Sequence, residues 1–208
     1  MSEPTCHVAV VYYSATGTIF TLADAVRAGA ADAGAEVRLR RVEEIAPVQA
    51  VARNGAWVEH LAATGHIPVA THDDLLWADA VVFGTPARFG NVASQLKQFL
   101  DTLSGLWMRD LLSDKVYSGF TSTASAHGGQ ESTLLALYNS VYHFGGVIVP
   151  PGHKDHRNDS AGNPYGASHV TGDDGSIAVG ETALTAARSQ GRRVATMAAA
   201  LRYGLAAV

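Results

Sequence analysis

The sequence predicts a single α/β domain, built on a doubly wound parallel sheet of about five strands with helices on both faces. Short apolar runs rich in β-branched residues recur along the chain, as expected of strands that are buried on both faces of a parallel sheet. Stretches with helical spacing separate these runs, and strand alternating with helix is typical of this class. The 208 residues, of which 47% are hydrophobic, suffice for one core.

The strands are predicted where apolar residues run together. The first, His7–Tyr13, is almost continuously apolar and therefore belongs at the centre of the sheet. Val37–Arg40 alternates apolar with charged residues, which favours a position nearer the sheet edge. The remaining strands are predicted at Ala80–Gly84, Val116–Phe120 and Gly146–Pro150.

Helices are predicted between the strands. After the first strand, Ile19, Leu22 and Val26 follow helical spacing up to a stop near Gly34. Thr71, followed by acidic residues, indicates the N-cap of a short helix. The other helical stretches are Val92–Leu103, Glu131–Phe144 and a final one from about Thr182 to Tyr203.

Two stretches interrupt the alternation of strand and helix. Residues 44–71 form an insertion after the second strand, and residues 151–180 are rich in Gly, Asp, Ser and His without a regular period. Loops longer than about 12–15 residues in a compact domain are usually functional or disordered. We expect both stretches to serve as lids or as contacts between subunits of a larger assembly.

Composition narrows the classes of function. A formal net charge of −4 and a pI near 6.1 argue against nucleic-acid binding. The single cysteine excludes a disulfide framework within one chain, and the histidine spacing predicts no metal site. No apolar stretch reaches the 20 or so residues that span a bilayer. These features predict a cytoplasmic protein without an integral membrane segment.

The loop after the first strand is the first candidate binding site, because ligands bind beyond the carboxyl ends of strands in open parallel sheets. Its small and hydroxyl residues precede a helix N-terminus, which favours an anion. It lacks the lysine of a triphosphate loop and the three glycines of a dinucleotide loop. The alternative is that the loop merely caps the helix. The candidate residues are Ser14, Ala15, Thr16, Gly17, Thr18 and Ile19.

Two further loops follow the third and fourth strands. The carboxyl ends of parallel strands meet at one edge, so the three loops together predict a pocket, which is stronger evidence than any single loop. The second loop contributes Pro86, Ala87, Arg88, Phe89 and Gly90. The third contributes Ser122, Thr123, Ala124, Ser125, Ala126, His127 and Gly128.

These segments resemble the WrbA-type NAD(P)H:quinone oxidoreductases, which are FMN enzymes of the flavodoxin-like superfamily. The resemblance covers nearly the whole chain, and the run from Phe83 to Asn91 with Gly105-Leu106-Trp107 is its most specific part. Further matches are Tyr12-Tyr13-Ser14, Gly128-Gly129-Gln130-Glu131 and Asn163-Pro164-Tyr165-Gly166-Ala167. The resemblance implies a flavodoxin-like fold with strand order 2-1-3-4-5, NADH or NADPH as hydride donor, a quinone substrate and a homotetramer built as a dimer of dimers.

The resemblance also implies residue roles. The first loop matches the phosphate site, and the second and third match contacts to the flavin. Trp107 matches an aromatic residue beside the substrate, and His143 matches a catalytic histidine at the flavin face. Thr16 stands where members often have a tyrosine of the substrate site. The third loop departs from the family's glycine-rich run at Ala124–His127 and is one residue longer.

The implied function is the two-electron reduction of quinones by NAD(P)H, with ping-pong kinetics at one pocket. Two alternatives remain open at this point: a flavodoxin-like one-electron carrier, and a flavin-free interaction or regulatory protein. A lone histidine such as His143 on a helix is, without the resemblance, more often structural.

Overall fold

A parallel six-stranded sheet forms the centre of the molecule in the computed structural model, which describes residues 6–153 and 163–207. The strand order β2-β1-β3-β4-β5 confirms the predicted doubly wound topology, and β6 pairs with β4. The strands are β1 (His7–Tyr12), β2 (Glu36–Arg41), β3 (Ala80–Pro86), β4 (Val116–Thr123), β5 (Val147–Ile148) and β6 (Ser168–Val170).

Helices cover both faces of the sheet. The predicted long helices are confirmed, with bounds that differ by a few residues. In chain order they are α1 (Thr18–Asp32), α2 (Val48–Val51), α3 (Gly55–Ala63), α4 (His72–Trp77), α5 (Ser94–Thr102), α6 (Ser104–Trp107), α7 (Gln130–Phe144) and α8 (Glu181–Leu205).

β1 shows why the central strands have continuous apolar sequence. Val8 and Val10 point into the core beneath α1 and α8, whereas Ala9 and Val11 point into the core formed with α5 and α7. Because side chains alternate between faces, a strand that is covered on both sides needs apolar residues at every position. β2 is only partly buried, as its alternating sequence indicates.

The last part of the sheet differs from the prediction. β5 is limited to Val147–Ile148, although the N–H of Val149 still donates to the carbonyl of Tyr117 (2.8 Å). β6 lies inside the stretch 151–180 that was predicted to be irregular, and it pairs with β4 from Thr121 to Thr123. A three-residue strand is too short to show a period in the sequence. Residues 154–162 of that stretch lie outside the described residues.

The insertion 44–71 is also more regular than its sequence suggests, because it contains α2 and α3. Asn54 caps α3 by accepting a hydrogen bond from the N–H of Trp57 (3.2 Å). The predicted cap of the next helix is confirmed: Thr71 and Asp74 form a reciprocal capping box at the start of α4. None of the helices in the described part of the chain combines the length and apolar character needed to cross a membrane.

Candidate functional site

A cleft of about 290 Å³ opens at the carboxyl edge of the sheet, close to the lower limit of typical ligand sites. The three predicted loops, the insertion and the segment after β6 all contribute to its wall. The lining residues are Ser14, Ala15, Thr16, Thr18, Ile19, Asn54, Trp57, Pro86, Ala87, Arg88, Ser122, Thr123, Ala124 and Thr171. The structure therefore brings the three predicted loops together.

The first loop presents the N-terminus of α1 to this cleft. Gly17 occupies the N-cap position with φ +104°, and its N–H donates to Oγ of Ser14 (3.1 Å). Among the residues that the structure describes, no side chain caps α1, and the first turn of this helix contains no acidic residue. The first N–H groups of a helix have no partner within the helix, so this end remains free to bind an anion.

The second loop is a tight turn. The N–H groups of Arg88 and Asn91 donate to each other's carbonyl oxygens (2.8 and 3.0 Å), with positive φ at Phe89 (52°) and Gly90 (72°) between them. Pro86, Ala87 and Arg88 line the cleft, whereas Phe89 projects fully into solvent and Gly90 lies outside the lining. Within one chain, the ring of Phe89 therefore does not face the cleft.

The third loop contributes only its first part. Ser122, Thr123 and Ala124 line the cleft. The chain then turns back on itself, since the carbonyl of Ser125 accepts hydrogen bonds from Oγ1 of Thr123 (2.8 Å) and from the N–H of Gly128 (3.0 Å). The rest of the loop lies outside the lining. It consists of an exposed tip, Ser125, Ala126 and His127, and the half-buried Gly128.

Three lining residues were missed in the sequence: Asn54, Trp57 and Thr171. All three lie in the stretches 44–71 and 151–180, which interrupt the predicted alternation of strand and helix. The only signal in the sequence was the presence of a tryptophan, Trp57, in the first stretch. Trp57 is the one aromatic residue among the described lining residues.

Glu44 connects the insertion to the edge of the sheet. Its Oε2 accepts hydrogen bonds from the hydroxyl of Tyr13 (2.9 Å) and from Nε1 of Trp57 (3.0 Å). Its Oε1 accepts from Nε2 of Gln95 (2.8 Å) and from the N–H of Ala46 (2.8 Å). Burial alone raises the pKa of the Glu44 carboxyl, but these four hydrogen bonds outweigh it and hold the pKa below its ordinary value.

A small cavity of about 10 Å³ lies between α3 and the carboxyl ends of β1 and β2. It is lined in part by the buried His60 of α3 and by Tyr12. Burial lowers the pKa of His60 and raises the pKa of Tyr12 to about 12, so both side chains are neutral near pH 7. The Tyr12 hydroxyl has no hydrogen-bond partner within the described residues. The cavity is close to the size that holds one water molecule.

Trp107 and His143 lie together, but not at the cleft. Nε1 of Trp107 donates to the carbonyl oxygen of His143 (2.7 Å). His143 sits in the last turn of α7, and this 15-residue helix runs about 22 Å from the carboxyl edge towards the opposite edge of the sheet. One chain therefore does not place either side chain in the cleft.

Comparisons with known proteins show the family to which the chain belongs. Residues 8–154 match the family described as NADPH-dependent FMN reductase. A protein of Aromatoleum aromaticum named NAD(P)H dehydrogenase (quinone) is 45% identical over 206 residues, which cover 96% of this chain and 99% of that protein. A protein of the same name from Geotalea uraniireducens is 46% identical over 200 residues, covering 93% and 98%.

Solved structures extend the comparison to the fold. A flavodoxin, WrbA-like protein from Agrobacterium tumefaciens superposes with a TM-score of 0.65 at 28% identity, over 93% of this chain and 97% of that one. An archaeal flavodoxin has a TM-score of 0.58 at 14% identity, over 92% and 98%, and supports the fold alone. The match to the family and the relatives of almost full length confirm the resemblance seen in the sequence: this chain belongs to the NADPH-dependent FMN reductase family, in the group of NAD(P)H dehydrogenases (quinone).

Proposed function

We propose that this chain is an FMN-dependent enzyme that reduces quinones with NAD(P)H, in two-electron steps and with ping-pong kinetics at one pocket. The uncapped N-terminus of α1, which opens into a hydroxyl-lined cleft at the carboxyl edge of the sheet, is the observation that carries the proposal. The close relatives named NAD(P)H dehydrogenase (quinone) supply the substrate class.

The residues of the cleft fit a flavin monophosphate. The amides at the start of α1 and the hydroxyls of Ser14, Thr16 and Thr18 would hold the phosphate. The first loop contains no lysine or arginine, which suits a monophosphate better than a triphosphate. The planar ring would lie between Pro86–Arg88 and Ser122–Ala124, which line the same cleft.

The chemistry of the reaction belongs to the cofactor: bound FMN would take up two electrons as hydride from NAD(P)H and deliver them to the quinone. The chain's own residues bind and orient. Thr16 is exposed at the mouth of the cleft, where nicotinamide and quinone would enter in turn. A single entry for both substrates is the reason to expect ping-pong kinetics.

We further propose that another copy of the chain completes the site. His143, as the residue that binds or protonates the quinone, and Trp107, as a wall of the substrate site, would have to come from a neighbour in a homotetramer. Large apolar side chains are exposed around His143. The exposed fractions are 50% for Trp107, 79% for Met108 and 69% for Tyr142. Contiguous exposed apolar surface often marks an interface, so this region supports a subunit contact.

Steady-state kinetics test the reaction. With FMN-loaded protein, initial rates measured over a grid of NADH or NADPH and benzoquinone concentrations should give parallel double-reciprocal lines. Intersecting lines would contradict the ping-pong scheme. No turnover with either nicotinamide would contradict the enzyme itself. A reductive titration that stops at a stable one-electron stage would instead indicate an electron carrier.

A further inference from the structure

We propose that Trp57, in the insertion after β2, is an aromatic wall of the cleft that contacts the planar ring of a bound ligand. This inference rests on the proposed function, because that function supplies a planar ring. It assigns a binding role to the insertion, which the sequence indicates only as a lid or a subunit contact.

The composition of the cleft is the first argument. Apart from Trp57, its described lining consists of small, hydroxyl, amide and aliphatic residues together with Arg88. A planar aromatic ligand gains most from an aromatic side chain in stacked or edge-to-face contact. Phe89, the aromatic residue of the second loop, points into solvent. Among the described lining residues, Trp57 is therefore the side chain that can supply such a contact.

The second argument is that Trp57 is held in place before any ligand binds. Its indole N–H donates to Glu44 (3.0 Å), which also accepts hydrogen bonds from Tyr13, directly after β1, and from Gln95 at the start of α5. Its backbone N–H is capped by Asn54, which lines the cleft as well. Binding residues that are oriented in advance lose little entropy when the ligand arrives.

The third argument is that α3, which carries Trp57, is fixed against the first loop. His60 is the buried residue of this helix. Its Nδ1 lies only 3.6 Å from where a Cβ on Gly17 would be, and its ring packs against Phe20 of α1 at 5.8 Å between centroids. The insertion is thus anchored on both sides of Trp57 and does not need to close over the ligand.

The ligand chemistry is a planar aromatic ring, which can come from the flavin or from the quinone. Two measurements distinguish these sources. The dissociation constant of FMN, from the quenching of flavin fluorescence, reports contact with the flavin. The KM for benzoquinone, measured at saturating FMN, reports contact with the substrate.

Trp57→Ala should raise one of these two constants by about three- to tenfold, the range of an aromatic contact. Trp57→Phe retains a ring and should lie between wild type and the alanine variant. Glu44→Gln should shift the same constant in the same direction, since it loosens the indole without removing it. Trp77→Phe is the matched control: Trp77 stacks on His7 at 4.5 Å, outside the cleft lining, and should leave both constants unchanged.

A rise in the dissociation constant of FMN or in the KM for benzoquinone supports the proposal. Which of the two rises shows whether Trp57 contacts the flavin or the quinone. If both constants match wild type in Trp57→Ala and Trp57→Phe, the proposal is wrong. Thermal melting of each variant tests whether it is folded. If Trp57→Ala does not fold, the constants of Trp57→Phe test the proposal. A wild-type protein that does not bind FMN would overturn the proposed function instead, so the two failures are distinguishable.

Discussion

At the scale of single residues, Gly17 sets how α1 presents its N-terminus to the cleft. Its φ of +104° is readily adopted only by glycine. A Cβ at this position would meet only Nδ1 of His60, at 3.6 Å, so a substitution acts through backbone strain and not through a collision. We expect Gly17→Ala to weaken FMN binding by roughly tenfold, because the loop must give up its geometry or carry the strain.

The dissociation constant of FMN, measured for Gly17→Ala, checks this expectation. Gly55→Ala is the control variant. Gly55 begins α3, has open space where its Cβ would be and does not have positive φ. The control should therefore bind FMN as wild type does. Equal affinity in the two variants would mean that the shape of the first loop does not determine binding.

Glu44 should make the stability of the insertion depend on pH. The pKa of its carboxyl is lower in the folded protein than its ordinary value, because the hydrogen bonds from Gln95, Ala46, Tyr13 and Trp57 outweigh the effect of burial. The stabilisation is therefore complete above the ordinary pKa of a glutamate carboxyl, which applies in the unfolded chain, and is lost as the pH falls through the lower pKa of the folded protein.

The comparison of wild type with Glu44→Gln isolates this contribution. At pH 7 the variant should have a free energy of unfolding about 1–2 kcal/mol lower, at the modest end for hydrogen bonds to a charged group because Glu44 is partly exposed. Urea titrations between pH 7 and pH 3 should show this difference shrinking. A difference that stays constant with pH would contradict the role of the carboxylate.

At the scale of elements, the crossing of α1 and α8 depends on two glycines. A Cβ on Gly191 would lie 2.0 Å from the carbonyl oxygen of Val26, and one on Gly29 would lie 1.9 Å from the carbonyl oxygen of Arg188. Both obstacles are backbone, so the helices would have to separate. We expect Gly191→Ala to lower the free energy of unfolding by about 2–3 kcal/mol.

Gly204→Ala is the control on the same helix. Gly204 has no neighbour within 4 Å of its ideal Cβ, so alanine should stabilise α8 by up to about 1 kcal/mol through helix propensity. Thermal and urea unfolding of both variants measure the contrast. Similar stabilities for the two variants would show that the close approach of α1 and α8 does not limit the fold.

Periodicity explains which elements could be predicted from the sequence. β1, β3 and β4 are buried on both faces, and α1, α7 and α8 bury one face, so burial leaves a clear pattern in each. β6 and α2 are three and four residues long and leave none. β6 is held by pairing with distant residues of β4, which is information that local sequence does not contain.

The residues of the site also differ in how well they could be predicted from the sequence. The loops at Ser14, Pro86 and Ser122 could be predicted because each directly follows a recognisable strand. Trp57 could not, since its place in the cleft depends on how α3 folds back on Glu44. Trp107 and His143 lie outside the cleft lining, so the roles proposed for them require a neighbouring copy, and sequence periodicity carries no information about such a copy.

At the scale of the whole molecule, a site shared between copies predicts complementation. His143→Ala should be poorly active while still binding FMN. Thr18→Glu places a negative charge at the N-terminus of α1, which the helix tolerates but which would repel a phosphate bound at the proposed site. Co-expression of the two variants should yield mixed oligomers in which some sites combine an intact first loop with an intact His143.

The two variants carry different tags, so that mixed oligomers can be purified through both tags. The quinone reductase activity of these mixed oligomers measures the complementation. Mixed oligomers should exceed the average of the two parent variants, and separately purified variants combined without exchange are the control. Activity equal to that average would contradict a site shared between copies, and a protein that sediments as a monomer would contradict the homotetramer.

Titration of the purified apoprotein with FMN and, in parallel, with riboflavin tests the central claim most directly, because riboflavin lacks only the phosphate. We expect one FMN to bind per chain. Riboflavin should bind the wild-type protein roughly a hundredfold more weakly than FMN does, because the phosphate would receive charge-assisted hydrogen bonds from the start of α1. FMN should bind Thr18→Glu more weakly than wild type by roughly the same factor. Equal affinity for FMN and riboflavin, or no binding of either, would contradict the account.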